Sequence, residues 1–178
     1  MSFLPLHSKS SGGGRNFTFF VETTRCISNE MIEDGAHVVF DWDNTLKLYD
    51  KYTHQLSCRV SREFLLHLKQ NRQCRLYIIS AIRPSAINLG TILSEMDKLN
   101  LTDVFVENGD HHSSVVKSEY AHKGNVIICG YDKAETFLLL SGFDSSRGDH
   151  LIVFDDEEVN IYNFKTMIPS SRCFYICQ

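Results

Sequence analysis

Three short apolar runs, each closed by an acid or a hydroxyl, limit what this chain can fold into. Residues 36–40 run into Asp41-Trp42-Asp43, residues 76–79 into Ser80, and residues 151–154 into Asp155-Asp156. Apolar runs of this length without polar alternation suit strands buried on both faces. Such strands belong to parallel sheets covered by helices on both sides. The sequence between the runs supplies the helices. Residues 59–70 are amphipathic, with Phe64, Leu65 and Leu68 on one side. Pro84 opens a second helix as a first-turn proline, and that helix runs to about residue 99. Residues 133–140 form a third, and residues 24–33, with Cys26, Ile27, Met31 and Ile32, a short one. Further strands are expected at residues 16–21, 104–106, 126–129 and 173–177. The expected architecture is an α/β fold of three layers, Rossmann-like, with a mainly parallel central sheet.

Residues 8–15 are rich in Ser and Gly, so residues 1–15 read as a flexible N-terminal segment and residues 16–178 as a single domain. The last apolar stretch ends with the chain, as in a fragment of something longer. Hydrophobic residues at 43% and charged residues at 22% are ordinary for a soluble globular protein. The net charge of -4 points away from nucleic acid and from membrane surfaces as general partners. No apolar run approaches the roughly 20 residues of a membrane span. Cys26, Cys58, Cys74, Cys129, Cys173 and Cys177 form no CxxC pair. They read as mostly buried thiols of a reducing, cytoplasmic compartment, not as zinc ligands or disulfide partners.

In an open α/β sheet, ligands bind beyond the carboxyl ends of the strands, at the reversal of strand order. If the three acid- and hydroxyl-ended strands are neighbours, one crevice collects Asp41, Asp43, Asp155, Asp156 and Ser80. A single aspartate after a strand is commonly a turn residue or a helix cap. Three strand ends in order are harder to assign to turns alone. Four carboxylates in one crevice repel one another unless a cation sits among them. An all-oxygen ligand set favours a hard ion, and Mg²⁺ fits best.

Asp41-Trp42-Asp43-Asn44-Thr45 after an apolar strand resembles the first motif of the haloacid dehalogenase (HAD) superfamily, of the form DxDx(T/V). Ser80 resembles its second motif, and residues 151–156 its fourth, in the form of an apolar strand followed by two aspartates. Lys133 falls where the third motif is expected, with Lys117 and Lys123 as competitors for that role. The resemblance covers roughly residues 36–160. It implies a HAD core in which Asp41 is the nucleophile and forms an aspartyl-phosphate. Asp43 is then the general acid for the leaving oxygen and the base for water. Ser80 and Lys133 bind the phosphoryl group. Asp41, Asp155 and the Asp43 carbonyl hold Mg²⁺, with Asp156 either a further ligand or an orienter through water. An aspartate at the position of Asp43 marks phosphatases, whereas the dehalogenases of the superfamily lack it.

Members of the superfamily gain specificity from cap insertions. Here residues 46–58 give only a short loop, and the polar stretch 108–124 a small hairpin or flap, so the cap is minimal. An open site of this kind implies a phosphorylated macromolecule, with phosphoprotein favoured over nucleic acid and phosphotyrosine as the subclass. Trp42 either packs under the nucleophile loop or forms an aromatic wall on which the substrate stacks, a part Tyr52 also fits. Arg83 either contacts phosphate or starts a surface helix. A small-molecule or nucleotide phosphatase and a non-catalytic binding module of the same fold are the alternatives. The layout of Lys133, Asp155-Asp156 and Asn160 is also similar to a bacterial branch of the superfamily in intracellular pathogens, which implies an effector delivered to a host cell.

Overall fold

Side chains alternate along each buried strand, and the alternation divides the core in two. The computed structural model describes residues 2–7, 18–107 and 114–178, with side chains from Val21 onward. Its strands are β1 (Ser2–His7), β2 (Thr18–Thr24), β3 (His37–Phe40), β4 (Lys47–Asp50), β5 (Gln55–Cys58), β6 (Arg75–Ser80), β7 (Val115–Val116), β8 (Tyr120–Lys123), β9 (Val126–Cys129), β10 (Leu151–Asp155) and β11 (Arg172–Ile176). Its helices are α1 (Arg62–Leu66), α2 (Ala86–Lys98), α3 (Thr102–Phe105), α4 (Lys133–Ser141) and α5 (Glu158–Met167).

Val38, Phe40, Leu76, Ile78, Ile152, Phe154 and Phe174 pack on one face with Leu65, Leu89, Ile92, Met96 and Phe105 from α1, α2 and α3. Val39, Tyr77, Ile79, Ile127 and Val153 point the other way, onto Phe137 of α4 and Ile161 and Phe164 of α5. The period of two along each strand therefore produces three layers. Within the first half the rings of Phe40, Phe154 and Phe174 stack across three strands, with centroids 5.5 Å and 5.0 Å apart.

The sheet has nine strands in the order β1-β2-β11-β10-β3-β6-β9-β8-β7. The pairings from β2 through β9 are all parallel, and β1, β8 and β7 add antiparallel edges. The chain runs from β3 outward to β6 and β9, then crosses back to place β10 and β11 on the other side of β3. The order therefore reverses between β3 and β10, where an α/β sheet opens a crevice at its carboxyl edge. This is the expected α/β class with a mainly parallel, Rossmann-like sheet. Among the described residues no helix is long and apolar enough to cross a membrane.

Several local expectations differ from the structure. Residues 2–7, read as part of a flexible segment, form β1 against β2; residues 8–15 lie outside the described residues. Residues 104–106, read as a strand, belong instead to the single turn of α3 and the residue that caps it. Three apolar residues do not discriminate strand from helix. Here Arg62 grips Asp103 with both guanidinium nitrogens, at 2.8 and 2.7 Å, and holds the turn against α1. Of the helix expected over 24–33 there is only a 3-10 turn at Asn29–Met31. Ile27 and Met31 have helical spacing, but Arg72 takes the Asn29 carbonyl at 2.7 Å. Pro84 lies outside α2, because Ser85 is the N-cap and accepts from the Asn88 amide at 3.1 Å. The helix expected over 59–70 is α1 followed by a π-helical turn at His67–Asn71. Residues 46–58 are not a plain loop: β4 and β5 form a hairpin whose bend is set by Asp50 accepting from the Tyr52 and Thr53 amides. All six cysteines are free; Cys74, Cys129 and Cys173 are buried, Cys58 and Cys177 half-buried, and Cys26 exposed.

The aromatic stack yields a direct stability test. Phe154→Ala should cost about 3–5 kcal/mol in urea unfolding, because it opens a void between two neighbouring rings and removes a buried ring from the centre of the sheet. Phe154→Leu should cost clearly less. The single tryptophan, buried Trp42, provides the fluorescence signal.

Candidate active site

Strand register brings the two acid-bearing ends together. Phe40 lies opposite Phe154, and the Asp41 amide continues the ladder by donating to the Phe154 carbonyl at 2.9 Å. Asp41 and Asp155 therefore leave neighbouring strands at the same level, on either side of the reversal in strand order. On the other flank of β3, Phe40 pairs with Ile78, which sets Ser80, the last residue of β6, one step further along the same edge. Ser80 is buried.

After β9 the chain turns through residues 130–132 and starts α4 with Lys133. This lysine is 1% exposed. Its Nζ donates to Asp41 Oδ1 at 2.5 Å and to Asp155 Oδ2 at 2.7 Å. Of the three lysines weighed from the sequence, Lys133 is the one that reaches the aspartates. Lys117 instead lies over the Tyr120 ring, 5.1 Å from its centroid, and Lys123 ends β8. Asp155 is held on its other oxygen by the Glu157 amide at 2.9 Å and by Asn160 Nδ2 at 3.0 Å. Asp156 accepts from Thr45 Oγ1 at 3.3 Å. Carboxylate oxygens of Asp41, Asp155 and Asp156 lie within 4.8 Å of one another.

The loop after β3 is tightly built. Asn44 adopts positive φ (59°), a conformation asparagine tolerates well. The Leu46 and Lys47 amides donate back to the carbonyls of Asp41 and Trp42. Arg59 braces the loop by donating to the carbonyls of Thr45 and Asn44, both at 2.7 Å. Trp42 is fully buried, and its indole N–H donates to Glu95 at 2.8 Å. It packs under the loop and offers no wall to a substrate. The Asp43 carboxylate is not part of the three-aspartate group; it pairs with Lys47 at 2.5 Å, and half of it is exposed. Arg83 is exposed, and its carbonyl accepts from Asn88.

The electrostatics follow from burial and charge. Burial pushes the Asp41 carboxyl up to about 7, against the pull of Lys133 and with the help of Asp155. Burial alone would lower Lys133, but Asp41 and Asp155 together outweigh it and hold the ammonium protonated. Lys133 contacts two carboxylates and a third lies beside them, so the ionised cluster carries two uncompensated negative charges. Three hard oxygen donors with that excess suit a divalent cation such as Mg²⁺.

Sequence reasoning assigned no role to Lys47, Glu95 or Asn160. Asn160 carries a signal: it stands five residues after Asp155 on a helix whose first turn folds back toward that strand end. Lys47 and Glu95 carry none, because their meeting depends on how α2 packs. Comparison of the chain with family models, with curated proteins and with solved structures finds no match.

The raised Asp41 has a thermodynamic consequence. Its folded-state value of about 7 lies above its ordinary 3.8, so between those values the folded chain holds a proton that the unfolded chain has released. Stability from this group is therefore lost as pH rises from about 4 to about 7. Without divalent cations, the melting temperature of wild type should fall more between pH 5 and pH 8 than that of Asp41→Asn. Added Mg²⁺ should raise wild type more at pH 8 than at pH 5. Parallel pH profiles for the two proteins would assign the effect elsewhere.

Proposed function

We propose that the chain is a magnesium-dependent phosphatase of the HAD type, acting through an aspartyl-phosphate on Asp41. One observation carries this reading: a buried lysine clamps the aspartates at the ends of two adjacent parallel strands, with a third aspartate beside them, at the point where strand order reverses. A structural ion pair would need one carboxylate. Two on one ammonium, with a third beside them, leave negative charge over to bind a cation.

In the proposed reaction a carboxylate oxygen of Asp41 attacks phosphorus. The bond from phosphorus to the leaving oxygen breaks, and Asp43 gives that oxygen its proton. Water then attacks the phosphorus of the aspartyl-phosphate, Asp43 takes the water's proton, and Asp41 is released. Lys133 orients Asp41 and neutralises charge on the transferred group. Ser80, at the end of the adjacent strand, donates to a phosphoryl oxygen. Asp41, Asp155, Asp156 and the Asp43 carbonyl would hold Mg²⁺, whose charge would offset that on the phosphoryl oxygens.

The favoured substrate is a phosphoprotein, with phosphotyrosine as the subclass. The hairpin of β4 and β5 follows the nucleophile loop directly and carries Tyr52, 97% exposed, at its bend. With Trp42 buried, the exposed aromatic residues of this hairpin, Tyr52 and Tyr49, are left to stack on a substrate ring.

Asp41→Asn should lower kcat on an aryl phosphate in the presence of Mg²⁺ by on the order of 10³-fold or more. EDTA should abolish wild-type turnover and added Mg²⁺ restore it. A phosphotyrosyl peptide should be turned over faster than nucleoside monophosphates. An Asp41→Asn protein as active as wild type would falsify the nucleophile assignment, and turnover indifferent to chelation would remove the metal.

A further inference from the structure

The proposed acid and base, Asp43, is held by a set of side chains that the phosphatase reading does not use. Lys47 Nζ lies 2.5 Å from Asp43 Oδ1 and 3.0 Å from Glu95 Oε2. The same Glu95 oxygen accepts the Trp42 indole N–H at 2.8 Å. These four residues come from three places in the chain: the loop after β3, the first residue of β4, and the last turns of α2. Lys47 is mostly buried, with its side chain 11% exposed, whereas that of Asp43 is 52% exposed.

The contacts run from a buried anchor, Trp42, to a half-exposed end, Asp43. Trp42 is locked in the core, and Glu95 is tied to it by a charge-assisted hydrogen bond. Glu95 in turn fixes the ammonium of Lys47. Asp43, the last link, is the most exposed, at 52% against 21% for Glu95 and 11% for Lys47. A half-exposed aspartate with no partner samples several rotamers, and each nonproductive one dilutes the fraction of molecules ready to transfer a proton. Geometry for proton transfer must be met within hydrogen-bond reach. The backbone adds to the restraint, since Asp43 and Lys47 form an isolated bridge and the Lys47 amide donates to the Trp42 carbonyl at 2.8 Å.

We infer that Lys47 is a positioning residue for Asp43, backed by Glu95 and the Trp42 indole, and that this chain of contacts sets how well leaving groups needing a proton are expelled. The inference rests on the phosphatase reading above. Among the described contacts Lys47 touches none of Asp41, Asp155 and Asp156, and its ammonium meets the Asp43 carboxylate rather than the Asp43 carbonyl assigned to the cation, so its loss should act on the proton transfer rather than on nucleophile or cation. Glu95 has the same role at one remove, through Lys47.

The test uses the full chain with Mg²⁺ and two substrates of opposite demand. An alkyl phosphate expels a strongly basic oxygen that needs a proton; p-nitrophenyl phosphate expels a weakly basic one that does not. Lys47→Met should lower kcat on the alkyl phosphate by about 30-fold and on the nitrophenyl ester by less than about 3-fold, with KM for both nearly unchanged. Glu95→Gln, which keeps an acceptor for the indole but removes the charge facing Lys47, should show the same pattern at smaller size. Lys47→Arg should recover most of the alkyl rate. Unchanged Trp42 emission and an unchanged Mg²⁺-induced rise in melting temperature should accompany these effects. Equal losses on both substrates, or none on either, overturn the positioning role while leaving the phosphatase reading in place. A wild type that turns over neither substrate removes that reading and the positioning role with it. If Lys47→Met does not fold, Glu95→Gln and Lys47→Arg decide by the same ratio.

Discussion

The buried ammonium of Lys133 holds the carboxyl edge of the sheet together. Asp41 and Asp155 end adjacent strands that pair in parallel, so their carboxylates are forced close whatever their charge. Without a cation between them the edge would carry two mutually repelling groups in a place with little water. Lys133 resolves this by entering from α4, at a cost: a positive charge on the first residue of a helix opposes the helix dipole. The acid of Glu135 in the same turn and the two aspartates in contact offset it. Removing one partner from such a buried cluster is more damaging than its surface equivalent, because the remaining charges stay buried.

Around this clamp the chain forms two further tiers. Asn160 and the Glu157 amide fix the far oxygen of Asp155, so α5 orients the aspartate that α4 neutralises. On the other side, Arg59 donates to the Thr45 and Asn44 carbonyls of the loop after β3 and to the Arg25 carbonyl after β2. The loop after β3 is consequently shaped by elements downstream of it, with Trp42 tied to α2 and Thr45 to Asp156. Rigid support of this kind is what a proton- or phosphoryl-transfer geometry requires.

The buried strands were legible because their apolar runs are continuous and each ends abruptly in a polar group. Asp41, Ser80 and Asp155 were legible for the same reason. Lys133 was placed by its position at the head of the helix before β10, and its contacts agree with that placement. Short or shared patterns were not legible. Residues 104–106 carry too few positions to distinguish a strand from one helical turn, and tertiary contacts from Arg62 decide the matter. Helix α5 was not expected from the sequence, although Ile161 and Phe164 have helical spacing and are buried. Lys47 and Glu95 stand 48 residues apart, and no local pattern relates them.

The reversal of strand order also governs how the site comes together. Lys133 lies 92 residues from Asp41, and Thr45 lies 111 residues from Asp156. In the chain, β3, β6, β9 and Lys133 all precede β10, which brings Asp155 and Asp156. The carboxylates converge only where β10 pairs with β3, across a long loop. The three-carboxylate edge thus depends on a long-range pairing. A cation that binds the converged carboxylates acts on the folding equilibrium through that pairing, drawing the two halves of the sheet together.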